Sequence, residues 1–519
     1  MMEKLLLSID CGTQSLRALI FDSEGNLRAA AKVEYEPYSS PHPGWAEQDA
    51  GVYWSSLCQT CQELKDFHPK LFAGIAGIAV TTQRDTMINV DKEGTPLRPA
   101  ILWLDQRKAE ARCGLGALHK LGIRIVGMQE AVAIIEKEGK VNWLKQHQPE
   151  IWAQTHKYLQ VSGFLNYRLT GNYVDSVASQ IGHIPFNYKR RRWAAAGELT
   201  SIILPVEKSK LVKLVEPGVL LGKLTETAAR ATGLRPELPV VAAGSDKGCE
   251  TLGTGCIGPG TASLSFGTTA TVQTTSRRYR EPIRFMPAYP AVLPGQFNLE
   301  VEVYRGYWMI NWFKKEFGLR EMREAKRLNV PPEELLNDLL RTVPPGALGL
   351  ILQPFWGPGI NTPEAKGAMI GFGDVHNRAH IYRAIIEGLG YALLDGLDKI
   401  EKCSGIAVDK LTVSGGASQS DEICQIAADI FDRPVVRGAV YEASGLGAAV
   451  VAAVGLGWHE GFEQAVSRMV RYGREFRPDP QRAHVYRQLY TRVYRRMYAT
   501  LKPLYVEIRD ITGYPQKVG

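Results

Sequence analysis

Apolar and polar positions alternate sharply at the start of the chain. Leu5-Leu6-Leu7-Ser8-Ile9 has the length and character of a buried strand, Leu16 to Phe21 is a second such run, and Leu27 to Tyr35 is a third. Asp22-Ser23-Glu24-Gly25-Asn26, between the last two, has the composition of a hairpin turn. The pattern predicts a β-meander. Val52, Trp54, Leu57, Cys61 and Leu64 then recur at helical spacing and predict a helix over 51–67. Ile75 to Val80 predicts a buried strand and Met87 to Val90 another. Lys92-Glu93-Gly94-Thr95-Pro96 predicts a turn before a strand from Ala100 to Leu104. Helices are expected at 129–148 and 157–169. Strands and helices in this order indicate an α/β domain on a mixed sheet.

A second start lies near Val240. Pro239 to Gly244 predicts a buried strand, 247–254 a helix, and Thr261 to Thr275 a strand, a turn at Phe266-Gly267-Thr268-Thr269, and a strand. That unit repeats the plan of residues 5–22, so the chain reads as two related halves. The last sixty residues predict a helical tail, with Tyr486, Leu489, Tyr490, Val493, Tyr494, Met497 and Tyr498 on one stripe and Arg487, Arg492, Arg495 and Arg496 off it. The stripe reads as a docking face and the arginines as a solvated one.

Composition narrows the picture. A chain of 519 residues exceeds what one core supports, and two large domains is the expectation. With 45% hydrophobic and 22% charged residues the chain has the balance of a soluble globular protein. The net charge of +8 is scattered, and its densest cluster, Lys189 to Arg192, is short. This argues against nucleic acid or a membrane surface as partner and suits an anionic ligand such as a nucleotide. The apolar run at Leu5 to Ile9 is too short for a signal peptide, and no run reaches membrane-spanning length. Eight cysteines without framework spacing fit reduced thiols in a cytoplasmic enzyme, and Cys58-x-x-Cys61, with no second pair nearby, reads as two small apolar residues of a helix.

Three glycine turns carry candidate chemistry. Asp10-Cys11-Gly12-Thr13-Gln14-Ser15 lies between two predicted strands, where backbone N–H groups and hydroxyls can cradle phosphate and a carboxylate can hold Mg²⁺ through water. Gly267-Thr268-Thr269 repeats that chemistry. Gly415-Gly416-Ala417 follows the predicted strand Leu411 to Val413 and precedes a predicted helix from Ser420 to Phe431, so a flat ring or a phosphate can approach the backbone there. Asp246, at the end of a buried strand, occupies the place where open α/β sheets keep active groups; its plainer role is an N-cap. Arg84 and Asp85 offer a cation and a carboxylate to hydroxyls, or form a surface ion pair. No Walker-type loop occurs. Gly253-Thr-Gly255-Cys-Ile-Gly258 follows a helical stretch and lacks the acidic residue of a dinucleotide site. His376 and His380 lack further ligands and read as helix-end surface residues.

These motifs together resemble the FGGY carbohydrate kinases: D-C-G-T-Q-S at 10–15, T-Q-R-D-T at 82–86, W-L-D-Q-R at 103–107, G-S-D at 244–246, S-F-G-T-T at 265–269 and G-G-A-S-Q-S at 415–420. The segment from Gly367 to Glu387 resembles the family's C-terminal signature, with Phe372 where an aliphatic is usual. Of the N-terminal signature only Lys140-Val-Asn-Trp143-Leu144 fits.

The resemblance implies an α/β fold of two actin-like (ribonuclease H-like) domains with mixed sheets flanked by helices around a deep cleft. It places an acceptor-binding domain at 1–256, an ATP-binding domain at 257–457 and a helical tail at 458–519 packed on the second domain. It implies ATP-dependent phosphorylation of a ketose or sugar alcohol in the cytoplasm, with Asp246 as general base and acceptor contact. Arg84, Asp85, Trp103 and Asp105 would be the other acceptor contacts. Thr13, Gln14, Ser15, Gly267, Thr268, Gly415, Gly416 and Ser420 would contact ATP, and Asp10 would hold Mg²⁺. It leaves room for a homodimer. The Q-R-D run is nearest to glycerol kinases, which carry Glu where this chain has Asp85, and Lys247 beside the base departs from the Gln or Asn of related groups. An actin-like ATPase of non-metabolic role and an inactive sugar-sensing module are the alternatives.

Overall fold

The computed structural model describes residues 4–111, 114–357 and 362–514; Cys113 and the first three residues lie outside them. Its centre is a pair of mixed sheets built on one strand plan. Leu5–Cys11, Ser15–Phe21 and Leu27–Glu34 pair antiparallel in sequence order, and the expected turn between the last two closes with Gly25 at φ 74°. Ile75–Thr82 joins Leu5–Cys11 in parallel, and Pro239–Ser245 joins Ile75–Thr82 in parallel. In the second sheet Thr261–Phe266, Ala270–Ser276 and Phe297–Val303 form the antiparallel meander, and Lys410–Ser414 and Val435–Gly438 add in parallel beside Thr261–Phe266. The likeness between residues 5–22 and 261–275 therefore extends to five strands. The parallel members are buried on both faces, which is why they read as continuous apolar runs.

Two helices bring the halves together. Asp246–Gly253 and Ala443–Gly455 cross at glycines: a Cβ on Gly253 would lie 1.9 Å from the Ala443 carbonyl oxygen, and one on Gly447 1.8 Å from that of Cys249. Neither site admits a side chain without parting the backbones. Leu6, Leu19 and Phe21 from the first sheet share one buried cluster with Cys249, Leu446, Val450 and Met469, so the second helix packs on the first half. The cleft lies at the ends of the strands that these helices join.

Several expectations need correction. The 157–169 helix begins only at Val161, because Lys157–Gln160 is a strand paired with Met87–Val90. The 129–148 helix is broken at Gly139, where a Cβ would meet Leu204 at 2.5 Å. Only Ala100–Ile101 of the 100–104 segment is strand, and Trp103 and Leu104 lie in the turn beyond it. The 51–67 helix buries Tyr53, Leu57, Thr60, Cys61 and Leu64, leaving Val52 and Trp54 at its rim. The tail is not wholly helical: Tyr472–Phe476 is an edge strand of the second sheet, and a π-helical turn at Tyr490–Tyr494 interrupts the stripe. Tyr486, Tyr490, Tyr494 and Met497 do reach the core of the second half. His380 is buried and caps the Arg378–Ser404 helix together with Asn377. Among the described residues, no helix is long and apolar enough to cross a membrane.

Candidate active site

Asp246 begins its helix without being the cap. The N-cap is Ser245, whose hydroxyl accepts from the Gly248 N–H at 3.2 Å, which leaves the Asp246 carboxylate in the first turn with one backbone hydrogen bond, from the Lys247 N–H at 2.8 Å. A carboxylate at a helix N-terminus is favoured electrostatically. Burial nonetheless raises the Asp246 carboxyl above the usual range, against the lowering pull of Arg84 and Lys247. Its side chain keeps 29% of its exposure, so solvent still reaches the carboxylate.

Arg84 does not pair with Asp85. Its guanidinium forks onto Glu300 at 2.7 and 3.0 Å, touches the Ser245 hydroxyl at 3.3 Å, lies 3.9 Å from Asp246 and covers the Tyr289 ring. Asp85, with φ 49°, accepts from Lys140 Nζ at 2.8 Å and from the backbone N–H of His183 at 2.9 Å, and its Oδ2 lies 2.8 Å from His183 Nδ1. Burial alone would raise its pKa, but Lys140 and His183 hold it well below the usual carboxylate range. The Asp105 side chain is 2% exposed, and its oxygens accept from the Ala46 N–H and from Arg107, whose guanidinium lies over Trp45 and Trp143. The structure therefore gives Asp105 to loop organisation and leaves it no oxygen for a ligand.

The first and second glycine turns approach Asp246 from two sides. In the first, Thr13 donates to Gln83 Oε1 at 3.0 Å and accepts from the Trp103 indole N–H at 3.0 Å, joining an expected ATP contact to an expected acceptor contact; Gln14 is exposed and Ser15 half-buried. Asp10, 7% exposed at the end of its strand, lies 3.4 Å from Arg17, and its carboxyl is pushed up to about 7 by burial, helped by Asp246, Glu442 and Glu250. In the second, Lys247 Nζ donates to Ser265 Oγ at 2.6 Å and pairs with Glu250 at 2.8 Å, and Glu250 accepts from Ser265 and Ser414. This network ties the Asp246 helix to the two strands that lead into Gly267 and Gly415. A Cβ on Gly415, at φ 85°, would lie 2.8 Å from the Phe266 carbonyl carbon and 2.9 Å from the Gly267 nitrogen, so the second and third turns touch backbone to backbone.

Beyond the third turn is a cavity of about 310 Å³ lined by Ser414, Ser418, Gln419, Gly438 and Tyr441 among others. Its wall includes residues 437–441, which carry no motif. Ser420 Oγ donates to Asn337 and caps the next helix, so its hydroxyl is already used. Thr268 is exposed at the loop tip. The residues missed in sequence are Glu300, Glu302 and Tyr289 on the second sheet and Lys140 and His183 behind Asp85. Lys140 is the first residue of the half-kept N-terminal signature.

The chain matches the description "FGGY family of carbohydrate kinases, N-terminal domain" over residues 5–253 and "FGGY family of carbohydrate kinases, C-terminal domain" over residues 262–456. A xylulose kinase of Lactococcus lactis is 29% identical over 500 residues, covering 93% of this chain and 95% of the relative. An autoinducer-2 kinase of Salmonella choleraesuis is 28% identical, with coverages of 93% and 92%. The crystal structure of xylulose kinase from Rhodospirillum rubrum superposes with a TM-score of 0.79 at 26% identity, covering 97% of this chain and all of that one.

Proposed function

The chain belongs to the FGGY family of carbohydrate kinases, and we propose that it transfers the γ-phosphoryl group of Mg-ATP to a hydroxyl of a ketose or sugar alcohol with Asp246 as general base. The single observation that carries this reading is the network from Asp246 through Lys247 to Ser265 and Glu250, which links one carboxylate to both strands that end in glycine turns. Relatives named for xylulose and autoinducer-2 support a small polyhydroxylated acceptor.

Phosphoryl transfer asks a protein for position and charge stabilisation. Asp246 accepts the proton of the attacking hydroxyl, and its raised pKa brings it closer to the basicity that proton transfer at neutral pH needs. Arg84, held by Glu300, and Trp103, held by Thr13, flank the acceptor, while Asp85 fixes the loop through Lys140 and His183. Gly267 and Thr268 present N–H groups to the β- and γ-phosphates, and Gly415 and Gly416 lead to the cavity that takes the adenosine. Domain closure would exclude water and limit futile ATP hydrolysis.

Among the described residues, no cluster of three or more His, Cys, Asp or Glu forms a metal cage. The donors at the cleft are hard carboxylate oxygens. Asp10, whose burial among other carboxylates makes it keep a proton to about pH 7, suits a divalent cation that takes its other ligands from water and phosphate. Asp10 would hold Mg²⁺, which neutralises phosphate charge when bound. The seven described thiols are free, which fits a reducing cytoplasm.

Measuring ADP release against pentuloses, hexuloses, tetritols, pentitols and glycerol tests this function. The expected result is one class raising the rate well above basal hydrolysis; ATP turnover indifferent to all of them would overturn it.

A further inference from the structure

The face of the second sheet that meets the Asp246 helix carries two glutamates. Thr251, on that helix, donates to Gln273 Oε1 at 2.7 Å; Gln273 lies opposite Glu300 across an antiparallel pair, and Thr271 lies opposite Glu302. Residues two apart on a strand share a face, so Glu300 and Glu302 both turn toward the helix. Ser265 is in turn opposite Thr271, which puts Ser265, Thr271 and Glu302 in one row across three strands. Lys247 donates to the Ser265 end of that row. Glu302 therefore stands on the cleft wall level with Lys247, one step along its strand from the Arg84–Glu300 pair.

The carboxylates around it are engaged. Glu300 is held by Arg84, Glu250 by Lys247, Ser265 and Ser414, and Asp85 by Lys140 and His183. Among the described residues, Glu302 makes no hydrogen bond or ion pair, yet it feels the charges of Glu300, Arg84, Lys247 and Asp246. A half-buried carboxylate without a partner is costly to keep unless something that visits the cleft uses it.

We propose that Glu302 is an acceptor-binding residue that accepts hydrogen bonds from the hydroxyls of an uncharged sugar or polyol and, with Asp246, excludes acceptors that carry a carboxylate or phosphate. This rests on the kinase reading above and narrows its substrate class. Arg84 and Lys247 are the positive side chains among the groups named around Glu302, and each already has a glutamate partner, so an anionic acceptor would meet the unpaired Glu302 and the partly engaged Asp246 and, among these groups, no cation without a carboxylate. Like charges brought together at a partly desolvated site cost heavily, whereas a hydroxyl donating to either carboxylate gains.

The experiment compares matched pairs, a pentitol with its pentonate and a hexitol with its hexonate, alongside the corresponding ketoses. Assays run at pH 8, because burial and Glu300 raise the Glu302 carboxyl to about 7. The wild-type protein should favour the neutral member by about 100-fold in kcat/KM, the size of effect that like-charge contact produces. Glu302→Gln should reduce that ratio by about tenfold or more, through the KM of the acceptors, with the KM of ATP unmoved, and Glu302→Asp should restore part of it. Thermal melting of each variant separates this from misfolding. A wild-type protein that uses the acid as well as the polyol, or a ratio unchanged in a folded Glu302→Gln, overturns the proposal. Absence of turnover with any acceptor, neutral or acidic, overturns the kinase reading itself and the proposal with it.

Discussion

Arg84 and Glu300, 216 residues apart, form a two-pronged ion pair at 2.7 and 3.0 Å that joins the end of a first-sheet strand to the middle of a second-sheet strand. The pair lies beside Asp246, the proposed base, with the Arg84 Nε 3.9 Å from its carboxylate, and it sets the direction in which the Arg84 fork faces. Removing one partner of a buried pair leaves the other uncompensated. Glu300→Gln should lower stability by about 3 kcal/mol. It should also raise the acceptor KM more than the ATP KM, as should Arg84→Ala; melting and steady-state kinetics check both. Equal effects on the two KM values would mean that Arg84 does not face the acceptor.

Asp85 ties its loop to Lys140, whose side chain is 5% exposed. Asn tolerates the left-handed backbone of this position almost as well as Asp, so Asp85→Asn reads the charge and not the strain. The loss should be about 3–5 kcal/mol at neutral pH. The sign with pH follows from the depressed pKa: the stabilisation is present above the ordinary carboxylate value of about 4 and fades as pH falls toward the folded value. Wild type and variant should therefore converge in stability at strongly acidic pH, which chemical denaturation across pH checks.

The proposed base, Asp246, must be ionised to act, and burial raises its pKa. At saturating Mg-ATP, kcat/KM for the acceptor should fall on the acid side with an apparent pKa above the ordinary carboxylate range. Asp10, which keeps its proton to about 7 without a cation, adds a second effect. A divalent ion competes with that proton, so at limiting Mg²⁺ the acid limb should move to lower pH as Mg²⁺ is raised. A profile that is flat down to pH 4.5, or insensitive to Mg²⁺, would count against these assignments.

Gly415 packs its α-carbon against the Phe266–Gly267 peptide with φ 85°. Alanine there meets both a strained backbone and two immovable peptide atoms. Gly415→Ala should raise the KM of ATP by about tenfold, a loss of about 1.4 kcal/mol, and leave the acceptor KM nearly unchanged.

The fold was largely legible in the chain, because apolar runs bounded by Gly and Asp turns mark Leu5–Cys11, Pro239–Ser245 and Thr261–Phe266 and the motifs recur at their ends. What stayed hidden depends on pairing at a distance. Glu300 and Glu302 alternate with Leu299, Val301 and Val303, the pattern of a strand with one wet face, and only the helix laid over that face makes it a cleft wall. His183 has no local signal and Lys140 only its place in the half-kept signature, since their roles come from Asp85 more than fifty residues away in each case. Lys157–Gln160 looked helical because it runs directly into Val161–Thr170, and its pairing with Met87–Val90 decides otherwise. Asp105 looked like a ligand group until Arg107, two residues on, took its oxygens.

The most direct test of the account is single-turnover phosphoryl transfer by Asp246→Asn with an acceptor found in the screen. Asparagine keeps the shape and position in the first helical turn and removes the proton acceptor. ATP affinity should stay near wild type and the transfer rate should fall by about 100-fold or more, the scale of lost general-base catalysis. A transfer rate near wild type in the folded variant would contradict it.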